Sequence, residues 1–418
     1  MRPIIDIAGA LLSNLARGFG LVGITTVAIK SVNMAAFFMM AIYLSPHDFG
    51  ALAVCWIVVS VGEAFLDLGF REVYLRESKP SLTIRQTCYW IFLFLGGFWF
   101  CVTYISAYFV ADAFNESNAL GYLKALSVIF LLRGMSVLRT CIQIENKQYS
   151  DVCQRELIAA VSGIAVGLTF AYLNFGGWAL VARYISEAAV NYTLLYLKVP
   201  FPPQLTFDRK WAKNAVTPAL QLNISRNIGW LIISQAERIF IGSISLATLG
   251  IWGFAKKPLE VSGQISTALI QQVYFRHFID FRDSASLKDT LRKSVGVFLV
   301  IGGIGSILLL VFAQYVIDLI WSEKWSAAKP VLAVLAASLP LTMMASVLTG
   351  FLSAVGCAQT LLKVSVITAL ISVLFVAIGT TFGIVGVAWA VVVTAIIRLI
   401  AVSTVSYQTL KEQWVVAT

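Results

Sequence analysis

The chain has 418 residues, 59% of them hydrophobic and only 12% charged, with a mean hydropathy of +0.84. That composition excludes an ordinary soluble domain, where about a quarter of residues are charged. The net charge of +10 would suit nucleic acid, but the basic residues sit in short connections between apolar runs and form no clustered face, so nucleic acid is excluded as a partner and the lipid bilayer is the expected surroundings.

At the N-terminus Ile4, Ile7, Leu11, Leu12 and Leu15 share one helical face, with Asp6, Asn14 and Arg17 marking the other. This predicts a short interfacial helix and no cleavable signal. Hydropathy and breaker residues then predict about twelve spans, near 19–44, 49–71, 88–110, 119–141, 157–174, 177–198, 214–240, 249–275, 295–320, 330–356, 361–380 and 384–407. Arg71, Arg76, Lys79 and Arg85 follow span two, Arg139, Lys147 and Arg155 span four, Lys198, Arg209, Lys210 and Lys213 span six, and Arg276, Arg282, Lys288, Arg292 and Lys293 span eight, whereas the opposite connections hold only Lys324 and Lys329. The positive-inside rule places both termini in the cytoplasm. The outer loops are too short for an extracytoplasmic catalytic domain, and the six cysteines, without C-x-x-C spacing, read as reduced apolar thiols.

Residues 199–208, with Pro200, Pro202 and Pro203, read as a stiff cytoplasmic linker between two six-span lobes, 1–198 and 209–418. The lobes look like repeats. Phe49-Gly50 is echoed by Leu249-Gly250 and Val73–Arg76 by Val273–Arg276, and an even number of spans per lobe gives both the same topology. The predicted fold is therefore an all-α polytopic membrane protein, its two six-helix lobes related by a pseudo-two-fold axis along the membrane normal around a central cationic cavity.

Polar residues at helical spacing mark the faces that avoid lipid. Span one carries Lys30 and Asn33, and span two Ser60, Glu63, Asp67 and Arg71. Span six carries Arg183, Glu187 and Asn191, span seven Asn223, Arg226, Asn227, Trp230 and Ser234, span eight Lys256, Lys257, Glu260, Gln264 and Thr267, and span twelve Thr394 and Arg398. Lys30, Arg226, Lys256 and Lys257 lie well within their spans and outnumber the acids nearby. Such a surplus calls for an anionic ligand, and a phosphate or diphosphate fits the donors that Lys and Arg provide. Asn33, Arg183, Asn223, Asn227, Trp230, Gln264 and Arg398 are candidate cavity lining. Glu63 and Asp67, one turn apart, are either counter-ions for those cations or, with Glu260, a site for a coupled Na+ or H+. Arg183 and Glu187 equally suit an i,i+4 ion pair. Glu237 with Arg238 is expected at the outer end of span seven, where exposure costs little. Pro258 is expected to bend span eight. There is no Walker A sequence, no metal-ligand cluster and no G-x-S-x-G, which predicts no enzyme, no cofactor and no metal.

Leu44-Ser45-Pro46-His47-Asp48-Phe49-Gly50, Ala64-Phe65-Leu66-Asp67-Leu68-Gly69-Phe70, the run from Phe175 to Val181, and Trp325-Ser326-Ala327-Ala328-Lys329-Pro330 together resemble the polysaccharide transporter branch of the MOP superfamily, which includes Wzx-type flippases. The resemblance covers nearly the whole chain. It implies alternating-access transfer of an undecaprenyl-diphosphate-linked glycan to the periplasmic leaflet of a bacterial inner membrane, with a polysaccharide polymerase and chain-length machinery as partners. About twelve spans, where many relatives have fourteen, disfavour a lipid II flippase. The alternatives are a MATE-like ion-coupled exporter, against which the excess of buried cations speaks, and a membrane-embedded glycan polymerase or glycosyltransferase, against which the short outer loops speak.

Overall fold

The structure, a computed structural model, describes residues 21–77, 80–270 and 284–417. The interfacial helix predicted at the N-terminus and the Val273–Arg276 repeat lie outside the described residues. Among the described residues each predicted span falls largely on helix, and no strand occurs. The helices are α1 (Leu21–Tyr43), α2 (Pro46–Phe65), α3 (Phe70–Arg76), α4 (Leu82–Ala113), α5 (Ser117–Glu145), α6 (Tyr149–Tyr172), α7 (Trp178–Lys198), α8 (Arg209–Gly242), α9 (Leu246–Leu269), α10 (Ser284–Val311), α11 (Ile317–Trp321), α12 (Ala328–Ala336), α13 (Ser338–Ala354), α14 (Ala358–Thr380) and α15 (Gly383–Ala417). A π-helical turn over Phe312–Val316 joins α10 to α11, and α12 and α13 form one apolar span bent by 42°.

Among the described residues seven stretches are long and apolar enough to cross a membrane singly, and the bent pair makes an eighth. The helices α7, α8 and α9, on which the longer polar stripes lie, fall short. Their sequences give up hydropathy for a face that lipid does not touch.

Contacts divide the chain into one unit of Ala35–Gly253 and a second that takes in Phe254–Thr418 with the start of the chain. In the first unit, the Leu44–Gly50 motif is a helix start. Ser45 N-caps α2: its Oγ accepts the Asp48 N–H at 3.3 Å, and the Asp48 carboxylate accepts the Ser45 N–H at 2.9 Å, while Pro46 occupies the first turn, where no N–H is needed. His47 reaches Glu116 at 3.2 Å, and Glu116 caps α5 through the Asn118 N–H at 3.0 Å. One loop motif thereby fixes the ends of two helices.

Five residues beyond Ser45, Gly50 lets α2 meet α9 backbone to backbone. A Cβ on Gly50 would stand 1.8 Å from the Leu246 carbonyl oxygen, and one on Gly250 would stand 1.8 Å from the Pro46 carbonyl oxygen. Residue 50 meets 246 as 250 meets 46, the reciprocity expected where a two-fold relates equivalent segments. The repeat noted between Phe49-Gly50 and Leu249-Gly250 is thus also a contact.

The predicted linker at 199–208 is an extended strap pinned along α4. Gln86 donates to the Pro202 carbonyl at 3.0 Å and accepts the Gln204 N–H at 2.9 Å, Trp90 donates to the Gln204 carbonyl at 2.9 Å, and Thr87 accepts the Asp208 N–H at 2.8 Å. Phe201 is buried with Tyr89 in a core completed by Phe92, Leu138 and Ala219. In the second unit Phe298, Leu339, Val347, Phe351 and Leu352 form the core between α10 and α13, with Val402 added from α15. Trp325, from the fourth motif, is fully buried and stacks on Phe254 at 4.3 Å between ring centroids. Cys55, Cys88, Cys141 and Cys153 are buried free thiols.

Candidate functional site

The second motif, Ala64–Phe70, is where span two breaks. Helix α2 stops at Phe65, Leu68 and Gly69 take positive φ of 46° and 83°, and α3 starts at Phe70. A Cβ on Gly69 would lie 2.2 Å from the Ala219 carbonyl oxygen, so both φ and the approach of α8 require glycine there. The Asp67 carboxylate accepts the Gly69 N–H at 2.9 Å and holds the turn. The break strands the last carbonyls of α2, which need partners from elsewhere.

Helix α8 supplies them. Asn223 and Asn227, one turn apart, both donate to the Ala64 carbonyl, at 2.9 and 3.1 Å. Further along, Gln235 and Arg238 both donate to the Ser60 hydroxyl, at 2.7 and 2.8 Å, and Arg238 also donates to the Trp56 carbonyl at 3.1 Å. Rising positions on α8 meet falling positions on α2, so the two helices form an antiparallel polar clasp that ends at the Gly50 contact with α9. Asn223 is fully buried, and Trp230 is exposed. Glu237 corrects an expectation: it is 4% exposed, and it accepts the Trp252 Nε1–H at 3.3 Å.

The two acids proposed for an ion site have separate duties. Glu63 forms an ion pair with Arg133 of α5, while Asp67 caps the break. Arg183 of α7 is 4% exposed, with its guanidinium 5.3 Å from the Tyr184 ring centroid. The side chain of Arg226 lies outside the described residues.

In the second unit, Lys30 and Asn33 are half-buried on α1, and Arg398 is exposed on α15. Helix α9 runs unbroken through Pro258, and Ser262 donates to the Pro258 carbonyl at 2.7 Å. Lys256 and Lys257 are half-buried, while Glu260, Gln264 and Thr267 are exposed. The Lys257 ammonium lies 3.8 Å from the Glu260 carboxylate, which neutralises part of the stripe. Among the described residues no cluster of His, Cys, Asp and Glu could hold a metal.

Sequence reasoning missed Gln235, the role of Arg133 as the partner of Glu63, and the burial of Arg139 and Arg155. The last two were read as charges of a connection; both lie inside helices and are almost fully buried. Periodicity finds a polar face, but it does not reveal which neighbour that face meets.

The profile of a polysaccharide biosynthesis protein family matches residues 39–330. Lipopolysaccharide biosynthesis protein WzxC of Escherichia coli (strain K12) is 22% identical over 331 residues, 75% of this chain and 64% of that protein. Succinoglycan biosynthesis transport protein ExoT of Rhizobium meliloti (strain 1021) is 21% identical, covering 82% of this chain and 70% of that protein. The chain thus spans about two thirds of the length of these relatives. Among solved structures, an inward-facing MATE-family multidrug resistance transporter of the MOP superfamily superposes with a TM-score of 0.70 at 14% identity, covering 93% of this chain and 98% of that one. Lipid II flippase MurJ, in an inward closed conformation, gives 0.66 at 15% identity, covering 91% and 86%. These likenesses assign the fold, that of the twelve-span, two-lobed transporters.

Proposed function

The chain belongs to the polysaccharide biosynthesis protein family, and from that premise we propose that it is a flippase moving an undecaprenyl-diphosphate-linked oligosaccharide across a bacterial inner membrane by alternating access. The observation that carries the reading is the half-buried Lys256-Lys257 pair on α9, well inside the helix that forms predicted span eight. Cations in such a place favour an anionic ligand, and a diphosphate offers oxygens for several of them at once. Lys30 and Arg226 join them as diphosphate ligands, with Asn33, Arg183, Gln264, Trp230 and Arg398 toward the glycan.

In this reading the halves 1–198 and 209–418 rock as lobes about the strap at 199–208, with both termini in the cytoplasm. Glu260, Glu63 and Asp67 are the groups through which Na+ or H+ would couple. The polymerase and chain-length machinery take the product on the far side. The fold is shared with drug exporters, but cationic drugs select acidic cavities, and α1, α8 and α9 carry more Lys and Arg than acids in their stripes.

Loss of the gene tests the reading. Single lipid-linked repeat units should accumulate in the inner leaflet; accumulation in the outer leaflet assigns the chain to polymerisation instead. Replacing Arg226 and Lys257 with Gln should lower surface polysaccharide about ten-fold or more at normal protein abundance. Export at the normal level would remove these residues from the site.

A further inference from the structure

Two guanidiniums where α5 ends and α6 begins are enclosed without an ion pair among the described residues. Arg139 is 3% exposed and Arg155 2%. Arg139 donates to the Met135 carbonyl at 2.8 Å and Arg155 to the Thr140 hydroxyl at 3.2 Å, yet the Nε of each is buried with no partner. Gln143, 1% exposed, leaves both ends of its amide unpaired as well. Arg139 and Thr140 lie four and three residues before Gln143, so all three share the neighbourhood of one helix face. The spare donors are grouped.

Two carboxylates of this region, Glu145 and Asp151, are committed to other partners. Glu145 binds Arg85 at 2.7 Å and the Tyr74 hydroxyl at 2.8 Å, and Asp151 binds Lys198 at 3.1 Å. Among the described residues no carboxylate forms an ion pair with Arg139 or Arg155. A buried charge without a partner costs several kcal/mol, and arginine does not escape that cost by losing its proton. Unpaired buried donors of this kind mark an absent partner. The one they suit is an oxyanion, which accepts from guanidinium and amide together.

Access is built in on one side. Arg139 is sandwiched between the rings of Tyr89 and Tyr196, at 5.8 and 5.2 Å, and Tyr196 is 54% exposed. Tyr89, on the other hand, is only 8% exposed, so Tyr196 is the more open of the two rings. We propose that Arg139, Gln143 and Arg155 form an interior receptor for a phosphate oxyanion, with Tyr196 as its cover. The phosphate comes either from an anionic phospholipid headgroup or from a soluble or substrate-like diphosphate. The receptor stands whether or not the chain is a flippase.

The test uses the full chain in nanodiscs of phosphatidylcholine, with phosphatidylglycerol as a minor component in one arm and inorganic pyrophosphate in the other. In the first arm, native mass spectrometry should find phosphatidylglycerol retained about ten-fold over phosphatidylcholine by the wild type, with the preference lost in Arg139→Gln/Arg155→Gln. If pyrophosphate instead raises the unfolding temperature of the wild type and not of the variant, the phosphate is of the soluble kind. Should the double variant fail to fold, Gln143→Leu keeps both arginines and should lower whichever preference is found by about three-fold. A wild type that neither discriminates between the lipids nor responds to pyrophosphate overturns the proposal.

Discussion

Helices α8 and α9 carry similar polar stripes and use them differently. On α8 the amides of Asn223, Asn227 and Gln235 and the guanidinium of Arg238 are spent on α2, where a break in span two has left carbonyls without partners. On α9 the stripe from Lys256 to Thr267 is half-open or exposed, with one loose ion pair inside it. A polar face within a membrane helix therefore either satisfies a neighbour's backbone, as on α8, or stays partly open, as on α9. Spacing alone does not separate them, because both keep the same side away from lipid.

The comparison predicts a graded series of effects on the folded protein. The largest belongs to the contact that closes the clasp. Gly50→Val or Gly250→Val puts side-chain atoms where a carbonyl oxygen now sits, and should cost about 3 kcal/mol or more; size-exclusion profiles of the solubilised variants should show loss of the monodisperse species, and a normal profile would mean the helices part freely there. Next is Asn223→Leu/Asn227→Leu, which orphans the Ala64 carbonyl at a cost of about 1–3 kcal/mol. A lowered unfolding temperature should report it, with Asn223→Gln partly sparing. Smaller again is the Glu63–Arg133 pair, whose partly exposed groups should show about 1 kcal/mol of coupling in a double-mutant cycle. If Glu63 also carries the coupled ion, Glu63→Gln should in addition make transport insensitive to an imposed Na+ or H+ gradient; unchanged sensitivity assigns it to the pair alone. The smallest effect on stability is expected on α9. Lys256→Gln/Lys257→Gln should shift unfolding by no more than about 0.5 kcal/mol, and a large drop in abundance would show that this stripe, too, serves the fold.

Much of the fold was readable before any coordinates, since hydropathy and turn chemistry are local. The twelve segments, the proline strap and the paired glycines all stand in the chain where their roles are found. The family motifs were readable as likeness only. Ser45 and Asp48 prove to be a capping box, and Asp67 to Gly69 a capped helix break whose carbonyls α8 takes up. The burial of Glu237 was missed because distance along a helix says nothing of a neighbour such as Trp252.

By itself, then, the sequence determined that this is a membrane protein of about a dozen helices, with cations on faces that avoid lipid, because the bilayer penalises each polar residue where it stands. Only the tertiary structure decided which of those polar groups are already satisfied. That depends on partners far apart in the chain: Asn223 on Ala64, Arg133 on Glu63, and, among the described residues, Arg139 and Arg155 enclosed with no ion pair. Hydrogen bonds and ion pairs are short-ranged, and proximity between helices is fixed by packing.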